Sequence, residues 1–184
     1  MVPQVTVIIP TYNQAKYLKD ALNSLIDQTF EDWECIIIND GSTDDTGEVI
    51  RSYAGKDSRI CYVEQANSGL AAARNRGLEK VKGRYIQFLD SDDALHKNKL
   101  QLQLALLSQT KELALSYSDY ITSIENDLSI PHPYYLTPKF NSNNLLYDLI
   151  LRWETEISIP IHCFLFDAKF FNKHKIIYHI LFLL

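Results

Sequence analysis

The feature that most constrains this chain is an alternation of short apolar, β-branched runs with helical periods, sustained to about residue 121. Val5–Ile9 is a continuous run of the first kind, as a strand buried on both faces requires. Pro10 cannot donate to a ladder and is expected to end it. Leu18, Ala21, Leu22, Leu25 and Ile26 then recur at helical spacing. Trp33–Asn39 reads as a second strand, Val49, Ile50 and Tyr53 as the next helical stripe, and Arg59–Val63 as a third strand. Ser68–Val81 predicts a helix with Leu70, Ala73, Gly77, Leu78 and Val81 inward. A fourth strand over Arg84–Leu89, a Leu-rich helix over Lys97–Gln109 and a strand over Leu113–Ile121 complete the series. This order predicts an α/β fold of three layers, with a mainly parallel sheet covered by helices on both faces and right-handed crossovers.

Beyond Thr122 the texture changes. Asn126–Asn144 is rich in Pro, Asn, Ser and Tyr without a period, and reads as a long loop. Leu145–Trp153 reads as a helix, and Ile157–Phe166 as a strand interrupted by Pro160. The chain thus divides into a patterned core, residues 1–122, and a less regular region of the same domain, residues 123–184.

Composition narrows the class. A chain of 184 residues suits one domain and needs no disulfide staple. Cys35, Cys61 and Cys163 are far apart and match no zinc-ligand spacing, so they are expected to be reduced, partly buried thiols. A net charge of -5 argues against nucleic acid as a partner, which wants a basic face. No basic segment followed by a long apolar one opens the chain, so no signal peptide is expected. The longest apolar stretch, Ile176–Leu184, is too short to span a bilayer.

In an open parallel sheet, ligands bind in the crevice outside the carboxyl ends of the strands. The residues that follow each strand here are polar: Thr11, Tyr12 and Asn13; Asp40, Gly41 and Ser42; Asn67, Ser68 and Gly69; and Asp90, Ser91, Asp92 and Asp93. The last group gathers three carboxylates in four residues, an arrangement that recruits Mg²⁺, Mn²⁺ or Ca²⁺ through oxygen ligands. The plainer reading is that Asp92 or Asp93 caps the helix that follows. Asp40–Asp44 can likewise be a turn plus a cap drawn from Ser42 or Thr43. That leaves Asp40 unexplained, and its carboxylate at the strand end can accept from a base N–H. Tyr12 can stack on a base or simply pack. Arg74 is either a snorkelling side chain or a cation that reaches phosphate or a neighbouring aspartate. Asn67 and Gly69 would supply backbone donors to an anion at a helix entry. There is no GxGxxG after the first strand, no Walker A loop and no Gly-x-Ser-x-Gly elbow.

Taken together, Val7–Asn13, Asn39–Asp44, Asn67–Gly69 with Ala73-Arg74-Asn75, and Asp90–Asp93 closely resemble the family 2 glycosyltransferases, in order and in spacing, over about residues 5–100. The resemblance implies the GT-A (Rossmann-like) fold and inverting transfer of a hexosyl group from a nucleoside-diphosphate sugar, a UDP-sugar above all. It implies a glycan or lipid-linked acceptor and polysaccharide biosynthesis. Pro10, Thr11, Tyr12, Asn13, Asp40, Gly41, Asn67, Gly69, Arg74, Asp90, Ser91 and Asp92 would then bind the donor. Asp40 would accept from the base, Asp90 would sit near the ribose, and Asp92 would hold a divalent metal, Mn²⁺ or Mg²⁺. Residues 1–122 become the donor-binding core and 123–184 an incomplete acceptor side. A cytoplasmic location, with peripheral membrane contact through a lipid-linked acceptor, follows from where such donors are made.

One part of the family pattern is missing. Its general base is usually the aspartate of a Glu-Asp pair after a strand like Ile161–Phe166, and no such pair follows here. The expectation is a chain truncated before its base, with Glu154, Glu156 and Asp167 as the remaining candidates. The alternative function is a donor-binding remnant that turns over poorly. The apolar end Ile180–Leu184 would then be orphaned and drive self-association.

Overall fold

The computed structural model describes residues 2–118, 120 and 160–174. In chain order the elements are β1 (Val5–Thr11), α1 (Ala15–Ile26), β2 (Trp33–Asn39), α2 (Thr46–Ala54), β3 (Ile60–Glu64), α3 (Leu70–Leu78), β4 (Tyr85–Phe88), α4 (Lys99–Leu107) and β5 (Leu115–Tyr117). A 3₁₀ turn (Ile161–Cys163), β6 (Phe164–Asp167) and α5 (Lys169–His174) follow. The six strands form one sheet in the order β3-β2-β1-β4-β6-β5. β3, β2, β1 and β4 are parallel, and β6 is antiparallel to both of its neighbours.

Strand β1 sits at the centre of this arrangement, and Val5, Val7, Ile8 and Ile9 are fully buried. Alternate side chains go to opposite layers. Val5, Val7 and Ile9 join Cys35 and Ile37 under α1, α2 and α4. Ile8 lies in the other layer with Ile86 and Phe88, on the α3 side. A Cβ at Gly77 of α3 would collide with the Ile8 side chain, so a glycine is what lets this helix lie so close to β1. The three-layer expectation is met.

Several boundaries differ from the sequence reading. Pro10 does not end β1, which runs to Thr11 with Pro10 opposite Ile38. The last bond toward β4 is Leu89 N–H to the Ile8 carbonyl, so Pro10, which faces the same edge two residues on, has no partner strand to donate to. Ile26 and Leu70 are exposed rather than inward, and Val81 lies beyond the end of α3. Cys61 is exposed, whereas Cys35 and Cys163 are buried, and none of the three forms a disulfide. β6 begins at Phe164 and enters the sheet between β4 and β5, which the linear order did not foretell. Aromatic packing anchors it: Phe166 meets Phe88 at 6.2 Å and Phe171 at 5.4 Å, edge to face in each case. The helix expected over Leu145–Trp153, the loop over Asn126–Asn144 and the apolar end Ile180–Leu184 lie outside the described residues.

A lysine is buried at the start of α4. Lys99 is 7% exposed, and its Nζ donates to Gln87 Oε1 at 2.7 Å and to Gln103 Oε1 at 2.5 Å. Burial lowers its pKa to about 7. Above that value the folded chain holds Lys99 neutral, while the unfolded chain keeps it protonated up to the ordinary lysine range. The unfolded state then binds more protons, so folding stability rises with pH. Relative to a Lys99→Met variant, the unfolding free energy should climb from pH 7 to 9 by at most about 1.4 kcal/mol per pH unit, as read from urea melts.

Candidate active site

Because four neighbouring strands run parallel, their carboxyl ends open on one edge of the sheet, and the loops that follow them meet there. The first two loops are laced together. Asn13 adopts a left-handed conformation (φ 53°), one that asparagine tolerates. Its N–H donates to Ser42 Oγ at 3.0 Å, and its Oδ1 accepts from the Thr43 N–H at 2.7 Å. The Asp44 carboxylate accepts from the Ala15 N–H at 3.2 Å and from Thr46 through both N–H and Oγ1. Burial works against it, but these bonds hold the Asp44 carboxyl below the usual carboxylate range. The loop after β2 therefore serves the first turn of α1 from outside the helix. Ser42 and Thr43 do not cap α2, as the turn-and-cap reading had it. That helix starts after Asp45 without a side-chain cap.

Asp40 joins the second loop to the third. The residue is buried, with 3% exposure. Its Oδ1 accepts from Gln65 Nε2 at 2.7 Å and the Ser68 N–H at 2.9 Å, and its Oδ2 from the Gly69 N–H at 2.8 Å. Two carboxylate oxygens offer about four lone-pair sites. Three are used here, so one acceptor position on Oδ2 is left for a ligand. Gly41 allows the approach: its φ is +75°, and a Cβ there would lie 2.8 Å from the Asn67 backbone nitrogen.

The acidic loop after β4 is held at both ends. Arg74, on α3, places one guanidinium nitrogen 2.7 Å and 3.1 Å from the two oxygens of Asp90. Of the destinations open to Arg74, the neighbouring aspartate is the one it reaches. The Asp93 N–H closes the loop on the Asp90 carbonyl at 3.1 Å. At the other end His162 Nδ1 lies 2.5 Å from Asp93 Oδ2, a close polar contact without an aligned N–H···O bond. Asp92 is the exposed residue of the three acids. Partial burial, and after it the charges of Asp93 and Asp90, raise its pKa.

A cleft of about 480 Å³ opens over these loops. Pro10, Thr11, Tyr12, Asp40, Asn67, Gly69, Asp90, Ser91 and Asp92 line it, as the sequence reading grouped them. Gln14, Leu70 and Ala73 line it as well; the sequence reading takes Leu70 and Ala73 as inward helix positions and gives none of the three to the site. Asn13, Gly41 and Arg74 stand behind the lining and shape it. Tyr12 is 47% exposed, and the buried Thr11 Oγ1 has no hydrogen-bond partner among the described residues. Gln65 and His162 were missed altogether, since nothing in their sequence neighbourhoods marks them. Asp167 was a candidate base, and its position is against that role. It pairs with Tyr85 at the start of β4, at the opposite end of the sheet from Asp90, and is tied to Arg84 and the Lys169 N–H. Glu154 and Glu156 lie outside the described residues.

Residues 6–174 match the sequence profile described as Glycosyl transferase family 2. The chain is 44% identical over 120 residues to a putative teichuronic acid biosynthesis glycosyltransferase, TuaG, of Bacillus subtilis, which covers 64% of this chain and 47% of that protein. It is 45% identical over 98 residues to the glycosyltransferase GlyA of Streptococcus pneumoniae, covering 53% of this chain and 14% of that one. Both relatives are thus more than twice as long as the part matched. Among solved structures, Staphylococcus aureus TarS 1–349 in complex with UDP-GlcNAc superposes with a TM-score of 0.71 at 23% identity, over 95% of this chain and 48% of that one, which shows the fold. The mannosyltransferase PcManGT from Pyrobaculum calidifontis, in complex with GDP-Man and Mn²⁺, gives 0.59 at 25% identity, over 65% and 36%. The fold is that of the GT-A glycosyltransferases.

The shared acceptor at Asp40 makes a stability prediction. In an Asp40→Ala variant three donors, on the half-buried Gln65 and the exposed Ser68 and Gly69, lose one buried acceptor at once, and each bond to a charged group contributes about 1.5–3 kcal/mol. Chemical denaturation should show a loss of at least about 3 kcal/mol, with faster amide exchange at Ser68 and Gly69.

Proposed function

Because this chain belongs to glycosyl transferase family 2, we propose that it moves a hexosyl group from a nucleoside-diphosphate sugar, a UDP-sugar, to a hydroxyl of a glycan or lipid-linked acceptor, with inversion, in polysaccharide biosynthesis. The observation that carries this reading is the cleft itself, whose lining brings Thr11, Tyr12 and Asp40 together with Asp90 and Asp92.

In this reading the base stacks on the exposed Tyr12 ring and donates an N–H to the remaining acceptor position of Asp40 Oδ2. The unpartnered Thr11 hydroxyl takes a polar atom of the nucleoside. Asp90, oriented by Arg74, accepts from a ribose hydroxyl; the Gly69 N–H, expected from the sequence to serve an anion at the helix entry, is taken by the Asp40 carboxylate instead. The donor set fits a hard divalent cation: Asp92 offers an exposed carboxylate, and Asp90 and Ser91 line the cleft beside it with further oxygens. Among the described residues no three acidic, His or Cys side chains come together to cage a metal alone, so Asp92 would share it with the diphosphate. Mn²⁺ or Mg²⁺ held there would neutralise the departing nucleoside diphosphate. The far-end position of Asp167 favours a second reading, in which the chain binds donor but turns it over slowly. Among the described residues no helix is long and apolar enough to cross a membrane. The proposed setting is the cytoplasm, with peripheral membrane contact through the acceptor.

Calorimetric titration of UDP, with and without Mn²⁺, tests the donor site. Binding should depend on the metal and weaken at least about tenfold in Asp92→Ala, as loss of a ligand carboxylate implies. A wild-type chain that ignores UDP under both conditions would remove the donor reading.

A further inference from the structure

We propose that Lys99, Gln87 and Gln103 form a positioning cluster that holds the turn before β6 against the acidic loop, so that His162 fixes Asp93 and with it the loop that takes the donor diphosphate. The clamp stands on contacts within the chain, and its effect on donor binding rests on the reading above.

Three long polar side chains fill a space that apolar ones could occupy: Gln87 is 0%, Gln103 3% and Lys99 7% exposed. Burying a lysine amine among them is unfavourable unless its bonds accomplish something that apolar packing does not. What they accomplish is orientation. A lysine Nζ donates to both glutamine Oε1 atoms, so each amide must turn its NH₂ the other way. Gln87 Nε2 then donates to the His162 carbonyl at 2.8 Å, and Gln103 Nε2 to the Cys163 carbonyl at 2.9 Å. Two consecutive carbonyls of one turn are pinned by two amides whose direction a single lysine amine sets. The His162 ring projects from that turn and meets the Asp93 carboxylate at 2.5 Å. The cluster thus reaches from β4 and α4 to the loop that carries Asp92, through a residue that follows Asp92 by seventy positions in the chain.

The test uses the intact chain, with His162→Ala, Lys99→Met and the double variant. Hydrogen exchange at the Asp92 and Asp93 amides is read without nucleotide, and Mn²⁺-dependent UDP affinity is read by calorimetry. His162→Ala should speed exchange at both amides and weaken UDP binding about tenfold, the scale for residues that orient a metal ligand. Lys99→Met should do the same. The double variant should be no worse than His162→Ala, because Lys99 acts through His162. A purely structural role for Lys99 would instead add its effect to that of His162. Full additivity, or unchanged exchange in His162→Ala, overturns the proposal. His162→Ala decides alone should Lys99→Met not fold. Failure of the wild-type chain to bind UDP overturns the proposed function, whereas the exchange measurement still decides the clamp.

Discussion

A strand that is buried on both faces and paired along both edges has only its ends for polar groups, and β1 is such a strand. Its parallel neighbours place three more carboxyl ends beside its own, so polar residues collect on one rim of an apolar slab. Four loops that converge in this way must satisfy their backbone groups without a regular ladder. They do so with side chains: Asn13, Ser42 and Asp44 between the first two loops, and Asp40 between the second and third. The cleft is therefore shaped before any ligand arrives. Preorganisation of this kind lowers the ordering cost of binding.

The acidic loop is the exception to self-sufficiency, because its charges repel and its supports come from elsewhere. Arg74 reaches it from α3, and His162 from a turn far along the chain. Asp90 and Asp93 are held from outside the loop, and Asp92 is left exposed between them. Its raised pKa fits a group awaiting a compensating charge, since burial and two like charges all disfavour the bare anion.

Much of this was legible in the sequence, for a physical reason. Parallel strands advertise themselves as β-branched runs, and the rule that ligands bind at their carboxyl ends converts strand order directly into a residue list. Thr11, Tyr12, Asp40, Asn67, Asp90 and Asp92 follow from that rule, and all of them line the cleft. What remained hidden was the work of neutral side chains. Gln65, Gln87 and Gln103 carry no periodicity or motif, and their roles exist only as distances between segments. Pro10 misled for a related reason. Whether a proline breaks a strand depends on which edge its nitrogen faces, and sequence does not record where the neighbouring strand stops.

The last step of the fold reverses the rule that served so well before it. β6 is antiparallel, so its carboxyl end lies beside the beginning of β4 and its amino end lies beside the cleft. Searching after the strand leads to Asp167, which is buried against Arg84 at the wrong end of the sheet. Searching before it leads to His162. One inverted strand thus exchanges an apparent catalytic acid for a histidine that no motif marked. In the proposed transfer a general base would therefore come from a segment other than the end of β6, since an aspartate there is a full strand length from Asp90.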